Sequence, residues 1–159
     1  KRIIRQTKTL DYMKKTIIVS DLSETASLGR RIGELVEEGM VIIMSGDLGA
    51  GKTTLTQAIG KGLGITRTIS SPTFTILKIY KGRMPLYHID AYRLEGLHQD
   101  LGFEEMIEDD GLTVIEWPMY IEELIPEERL SIVIHLEDDK RIFEFEAVGK
   151  RYEALLEAL

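Results

Sequence analysis

An α/β fold built on a mixed central sheet is predicted by three features of the chain. The apolar run Met40-Val41-Ile42-Ile43-Met44 leads through a glycine-rich loop into Thr53, Leu55, Ala58 and Ile59, whose spacing is helical, so a buried strand, a tight loop and a helix follow one another. Two pairs of β-like runs, 75–80 with 84–89 and 130–136 with 142–147, are each joined by a short turn segment, the pattern of antiparallel hairpins. With 159 residues and 43% hydrophobic content, the chain suffices for one domain with a full core and is too short for two sizeable ones.

Taken in order, Thr16-Ile17-Ile18-Val19 is a short β-branched strand. Ser20, Asp21 and Ser23 offer N-caps to a helix carrying Leu28, Ile32, Leu35 and Val36 on one stripe, which Gly39 should close. The helix after the glycine loop should end in the cluster Gly60-Lys61-Gly62-Leu63-Gly64. Residues 65–74 are hydroxyl-rich and broken by Pro72, which predicts a loop. The runs Thr75–Tyr80 and Met84–Ile89 form a hairpin through Lys81-Gly82-Arg83, so the sheet is mixed. An acidic helix is expected over 94–110, ended by Gly111. Leu112-Thr113-Val114-Ile115 then reads as a buried strand, and Pro118 as the start of a helix through Leu124. The alternating runs Leu130–Leu136 and Ile142–Ala147 make a second hairpin, and Tyr152, Leu155 and Leu156 form the stripe of a terminal helix. The chain has no internal repeat, low-complexity tract or linker.

The loop Gly46-Asp47-Leu48-Gly49-Ala50-Gly51-Lys52-Thr53 fits Gly-x-x-x-x-Gly-Lys-Ser/Thr, a phosphate-binding pattern. Glycines let successive backbone N–H groups converge on one anion without a Cβ in the way. The unpaired N–H groups of the following helix, and its dipole, favour negative charge at the same place. Lys52 adds a cation for the terminal phosphates, and the Thr53 hydroxyl is the candidate ligand of Mg²⁺, which takes few protein ligands and keeps several waters. The predicted architecture is therefore a three-layer fold of the P-loop NTPase kind, with a mixed central sheet and antiparallel hairpins.

Composition narrows the class further. The absence of cysteine excludes disulfides, thiolate metal sites and a cysteine nucleophile, and a reducing cytoplasm is the expected compartment. No apolar run approaches a membrane span. The net charge is −7, divided between +5 over residues 1–15 and −12 over the rest. An acidic body is a poor sequence-independent binder of nucleic acid, and neither DNA nor a membrane is an expected partner. Residues 1–12 are expected to be a disordered extension or vector-derived segment before a start at Met13, leaving 13–159 as the single domain.

Two carboxylates follow strand ends. Asp90 lies just past one β-run, where phosphate-loop enzymes place a metal-side carboxylate. Glu116 ends an apolar strand, where a charge is costly to bury unless paired or bound to metal. The hydroxyl-rich loop after the first loop helix occupies the place of a switch segment near the γ-phosphate. No Asn-Lys-x-Asp guanine motif is present and the arginines are scattered, which disfavours a GTPase and a lidded small-molecule kinase and makes adenine the better base. Three readings stay open on these residues: an ATP hydrolase, a nucleotide-gated assembly module and a kinase of unknown acceptor.

The loop with Thr54, then Ser71-Pro72-Thr73-Phe74, His88-Ile89-Asp90-Ala91-Tyr92-Arg93 and Glu116-Trp117-Pro118, in this order and spacing, resemble the TsaE (YjeE) family from about Thr16 to the end of the chain. The resemblance implies a small bacterial ATPase required for threonylcarbamoyladenosine in tRNA. It would act with the TsaB and TsaD proteins and meet tRNA indirectly through them. It further implies that Asp47, Leu48, Gly49, Ala50, Gly51, Lys52, Thr53 and Thr54 bind the phosphates of ATP, that Thr53 and Glu116 hold Mg²⁺, and that Asp90 is the carboxylate needed for hydrolysis. Thr73 would belong to the switch-like loop and Trp117 would lie near the nucleotide. The base would sit around Ser23 to Thr25 and Lys140-Arg141. Asp90, Lys52 and Glu116 are thus the catalytic candidates. No obvious arginine finger in cis is visible, although Arg93 or Arg67 could serve, so turnover should be slow until a partner completes the site.

Overall fold

The computed structural model describes residues 3–8, 12–47, 49–70, 77–91, 109–117, 122 and 125–159. In chain order the elements are β1 (Ile3–Lys8), β2 (Met13–Val19), α1 (Leu22–Leu35), β3 (Val41–Gly46), α2 (Lys52–Gly62), β4 (Leu77–Lys81), β5 (Pro85–Asp90), β6 (Leu112–Glu116), β7 (Arg129–Glu137), β8 (Lys140–Val148) and α3 (Lys150–Glu157). The strands form one eight-stranded sheet in the order β1-β2-β8-β7-β3-β6-β5-β4. Its four central strands, β7, β3, β6 and β5, run parallel. Antiparallel partners flank them, β4 on one side and β8, β2 and β1 on the other. The mixed sheet and both hairpins are as the β-runs predict.

Burial explains which runs take which place. Every residue of β6 is buried, as a parallel strand covered on both faces requires. By contrast β7 alternates buried with half-exposed positions, and Ile132, Ile134, Phe143 and Phe145 of the β7–β8 hairpin join the core beside Leu28, Ile32 and Ile59 of the helices.

The two helices next to the loop approach closely because glycine faces them together. A Cβ at Gly33 of α1 would overlap the Ile59 carbonyl of α2. The start of α1 is capped reciprocally: the Asp21 carboxylate accepts from the Glu24 N–H, and the Glu24 carboxylate accepts from the Ser20 N–H, both at 2.8 Å. Its end comes at Leu35, with Val36 already extended, ahead of the Gly39 that local pattern suggests. The carbonyls it leaves open are met from far along the chain. Arg83, in the turn between β4 and β5, donates to the carbonyls of Gly33, Glu34 and Val36 at 2.8, 3.3 and 2.9 Å, supplying the cation at the helix C-terminus that α1 itself lacks. Lys15 does the same for α3, donating from a buried position to the carbonyls of Leu156 and Leu159.

Residues 3–8, expected within a disordered extension, instead form β1, which pairs with β2 from Ile3↔Ile18 to Lys8↔Met13. The strand satisfies backbone groups on the outer edge of β2, while Ile3 and Ile4 stay exposed. The helix expected over 94–110 falls outside the described residues except for its last two, and that from Pro118 falls outside them apart from residue 122. Among the described residues no helix is long and apolar enough to cross a membrane.

Candidate nucleotide and metal site

The glycine loop leaves the C-terminal end of the central strand β3 and enters α2, the edge of a parallel sheet where α/β proteins bind ligands. Its first glycine is compelled by geometry. Gly46 has φ 145°, and a Cβ there would overlap the Ile134 carbonyl of β7, so no other residue fits the strand-to-loop exit. Within the loop the Ala50 N–H donates to the Asp47 carbonyl at 3.1 Å, and the Leu55 N–H to the Gly51 carbonyl at 2.9 Å. Gly51 caps α2 in a left-handed conformation with no side-chain cap, which leaves the first-turn N–H groups for a ligand. Thr53 and Thr54 are half-buried on that first turn, while Asp47 and Gly49 are exposed.

Lys52 is buried and folds back over the loop, donating to the carbonyls of Gly46 at 3.2 Å and Asp47 at 3.1 Å. Its ammonium also lies 4.7 Å from the centroid of the Trp117 ring, a cation–π contact. Trp117 holds φ 59°, outside glycine a rarely used conformation, and its N–H donates to the Met44 carbonyl at 3.1 Å. That bond extends the pairing of β3 and β6 past the strand end and places the tryptophan beside the loop.

Asp90 and Glu116 are register partners at the ends of the parallel strands β5 and β6, and Met44 of β3 is the partner of Glu116 on the other side. The Ala91 N–H donates to the Glu116 carbonyl at 3.0 Å, so this rung is held beyond the strands themselves. Partners in a parallel pair project to the same face. Both carboxylates therefore belong to one face at the edge from which the loop emerges.

One residue escaped the sequence reasoning as a site residue. His88, wholly buried in β5, places Nε2 2.5 Å from Oε2 of Glu116, itself 4% exposed. The alternation His88-Ile89-Asp90 puts the imidazole and Asp90 on one face of β5, and this was the signal available in the sequence.

The residues expected around the base divide. Arg141, at the start of β8, donates from Nε to the Ala50 carbonyl at 3.2 Å. Lys140 is exposed at the β7–β8 turn, opposite Glu137. Ser23 and Thr54 line a cavity of about 580 Å³ bounded by α1, α2 and residues 65–69. Thr25 faces inward, fully buried, its hydroxyl donating to the Asp21 carbonyl at 3.4 Å. Leu48, Thr73 and Arg93 lie outside the described residues. Arg67 stacks 4.8 Å from the Tyr80 ring centroid.

The donor set suits Mg²⁺. It offers a hydroxyl at Thr53 and a carboxylate at Glu116, oxygen only and few. Among the described residues no group of three or more His, Cys, Asp or Glu side chains could hold a metal by itself. A cation here would be completed by phosphate oxygens and water, the habit of Mg²⁺.

A mixed α/β sheet with a glycine loop at the end of its central parallel strand, and carboxylates at the ends of the next two, defines a P-loop-like protein. Comparison with known proteins specifies it further. The family model for "Threonylcarbamoyl adenosine biosynthesis protein TsaE" matches residues 19–143. The chain is 49% identical over 138 residues to the tRNA threonylcarbamoyladenosine biosynthesis protein TsaE of Bacillus subtilis (strain 168), covering 86% of this chain and 87% of that protein. It is 48% identical over 115 residues to the protein of the same name from Nostoc sp., covering 69% and 70%. The crystal structure of Bacillus subtilis YdiB superposes with a TM-score of 0.76 at 38% identity, covering 98% of this chain and 94% of that one. The chain belongs to the TsaE family.

Proposed function

We propose that this chain is a Mg²⁺-dependent ATPase of the cytoplasm that supports threonylcarbamoyladenosine modification of tRNA together with TsaB and TsaD. The names of the TsaE relatives support the pathway. The observation that carries the chemistry is the rung Met44, Glu116 and Asp90, which sets two carboxylates on one face at the mouth of the loop.

In this reading the loop amides from Asp47 to Thr54 and the Lys52 ammonium bind the β- and γ-phosphates. To reach them, Lys52 leaves the Gly46 and Asp47 carbonyls and the Trp117 face. Thr53 and Glu116 would hold Mg²⁺, which when bound neutralises charge on the transferring phosphoryl group. Asp90 orients a water and takes up its proton as the oxygen attacks the γ-phosphorus; the bond from the γ-phosphorus to the bridging oxygen breaks, and ADP and inorganic phosphate leave. Of the two arginines that could serve in cis, Arg67 stacks on Tyr80 and Arg93 lies outside the described residues. The stacking of Arg67 on Tyr80 supports slow turnover alone and an activating group supplied by a partner.

Lys52→Ala should abolish nucleotide binding, whereas Asp90→Ala and Glu116→Ala should retain binding and stop hydrolysis. The hydrolytic reading fails if these carboxylate variants still support modification with purified TsaB, TsaD and tRNA; a nucleotide-gated assembly module would then take its place.

A further inference from the structure

We infer that His88 is a positioning residue that holds the Glu116 carboxylate for the metal, an assignment resting on the reading of Glu116 as the Mg²⁺ carboxylate. His88 is 0% exposed, and its Nε2 meets Glu116 Oε2 across the β5–β6 pair. With a proton on Nε2 the imidazole donates to this carboxylate. The other nitrogen, Nδ1, is buried with no hydrogen-bond partner among the described residues.

That imbalance identifies the purpose of the side chain. A histidine kept for packing alone would be disfavoured against an apolar residue, because one buried nitrogen goes unsatisfied. A histidine kept for a polar network would use both nitrogens. Among the described residues the contact to Glu116 is the only polar one His88 makes, so it accounts for a histidine at this position. The geometry matches a role behind a metal ligand. Oε2 is taken by the imidazole, the carboxylate is fixed in rotation, and Oε1 remains for a cation. Ligating carboxylates are held in this way by a partner behind them, and losing such a partner weakens metal binding about 10–100-fold.

Mn²⁺ binding to the protein–ADP complex, counted by electron paramagnetic resonance, tests the assignment beside ADP affinity measured calorimetrically in EDTA. His88→Leu should weaken Mn²⁺ about 10–100-fold and change metal-free ADP affinity less than about twofold, while His88→Gln, whose amide restores a donor to Glu116, should recover most of the loss. His88→Met replaces the leucine variant if that chain does not fold. The assignment is overturned if the donor-less variant binds Mn²⁺ like the wild type while Glu116→Gln loses it. It is overturned equally if His88→Gln is as weak as the donor-less variant and metal-free ADP affinity falls in parallel, the mark of a purely structural residue. Glu116→Gln binding Mn²⁺ normally would instead sink the metal reading of Glu116, and this inference with it; ADP binding in EDTA lost with Lys52→Ala would still uphold the loop.

Discussion

The Lys52 ammonium lies 4.7 Å from the centroid of the Trp117 ring while donating to the Gly46 and Asp47 carbonyls. The cation that should meet phosphate is thus held on the sole tryptophan of the chain. Binding of ATP should draw Lys52 away and change the emission of Trp117. Lys52→Met should shift the emission of the free protein and show no response to nucleotide. Unchanged Trp117 emission in a sample shown calorimetrically to bind ATP would contradict this coupling.

Gly46 is the residue on which loop and sheet depend together. Its φ of 145° and the Ile134 carbonyl against its α-carbon leave no room for a methyl group. Gly46→Ala should cost at least about 2 kcal/mol of stability and weaken nucleotide binding as the exit from β3 shifts. Urea denaturation and calorimetry of the variant check both parts. A variant of wild-type stability would mean that β3 and β7 separate more easily than their pairing implies.

Tyr152 sets an alkaline limit. Burial raises its pKa above the ordinary 10.0, against the smaller opposing effects of the Val41 N–H and Arg151. Because the proton is held more tightly in the fold than in the unfolded chain, this stability is complete below pH 10 and is lost as pH rises above it. Tyr152→Phe should flatten that part of the profile. It should also lower stability at neutral pH by about 1–2 kcal/mol, since the Val41 N–H, which donates to the phenol oxygen at 2.8 Å, loses its acceptor. Denaturation midpoints of both proteins from pH 8 to 11 decide the matter; parallel profiles would remove Tyr152 as the cause.

The features legible in the sequence are those written in local pattern. The glycine loop, the hairpins over β4–β5 and β7–β8, and the placement of Asp90 and Glu116 at strand ends each follow from a short run of residues with period and punctuation. What escaped depends on partners far along the chain. The end of α1, four residues before Gly39, has its carbonyls capped by Arg83, some fifty residues away. His88 acquires its meaning from Glu116 only once β5 and β6 pair in parallel register. The strand β1 is similar: Ile3-Ile4-Arg5-Gln6-Thr7-Lys8 has little alternation of its own and is ordered by the free edge of β2. Thr25, which the resemblance sets near the base, lies on the buried face of α1, a placement that the run Ser23-Glu24-Thr25 does not reveal.

The central claim, that the loop with Asp90 and Glu116 hydrolyses ATP in service of tRNA modification, is tested most directly by ATP turnover with Mg²⁺ in the presence and absence of TsaB and TsaD. The account predicts slow hydrolysis by the chain alone, faster hydrolysis with both partners, and neither with Asp90→Ala. Turnover indifferent to TsaB and TsaD, or undiminished in Asp90→Ala, would contradict it.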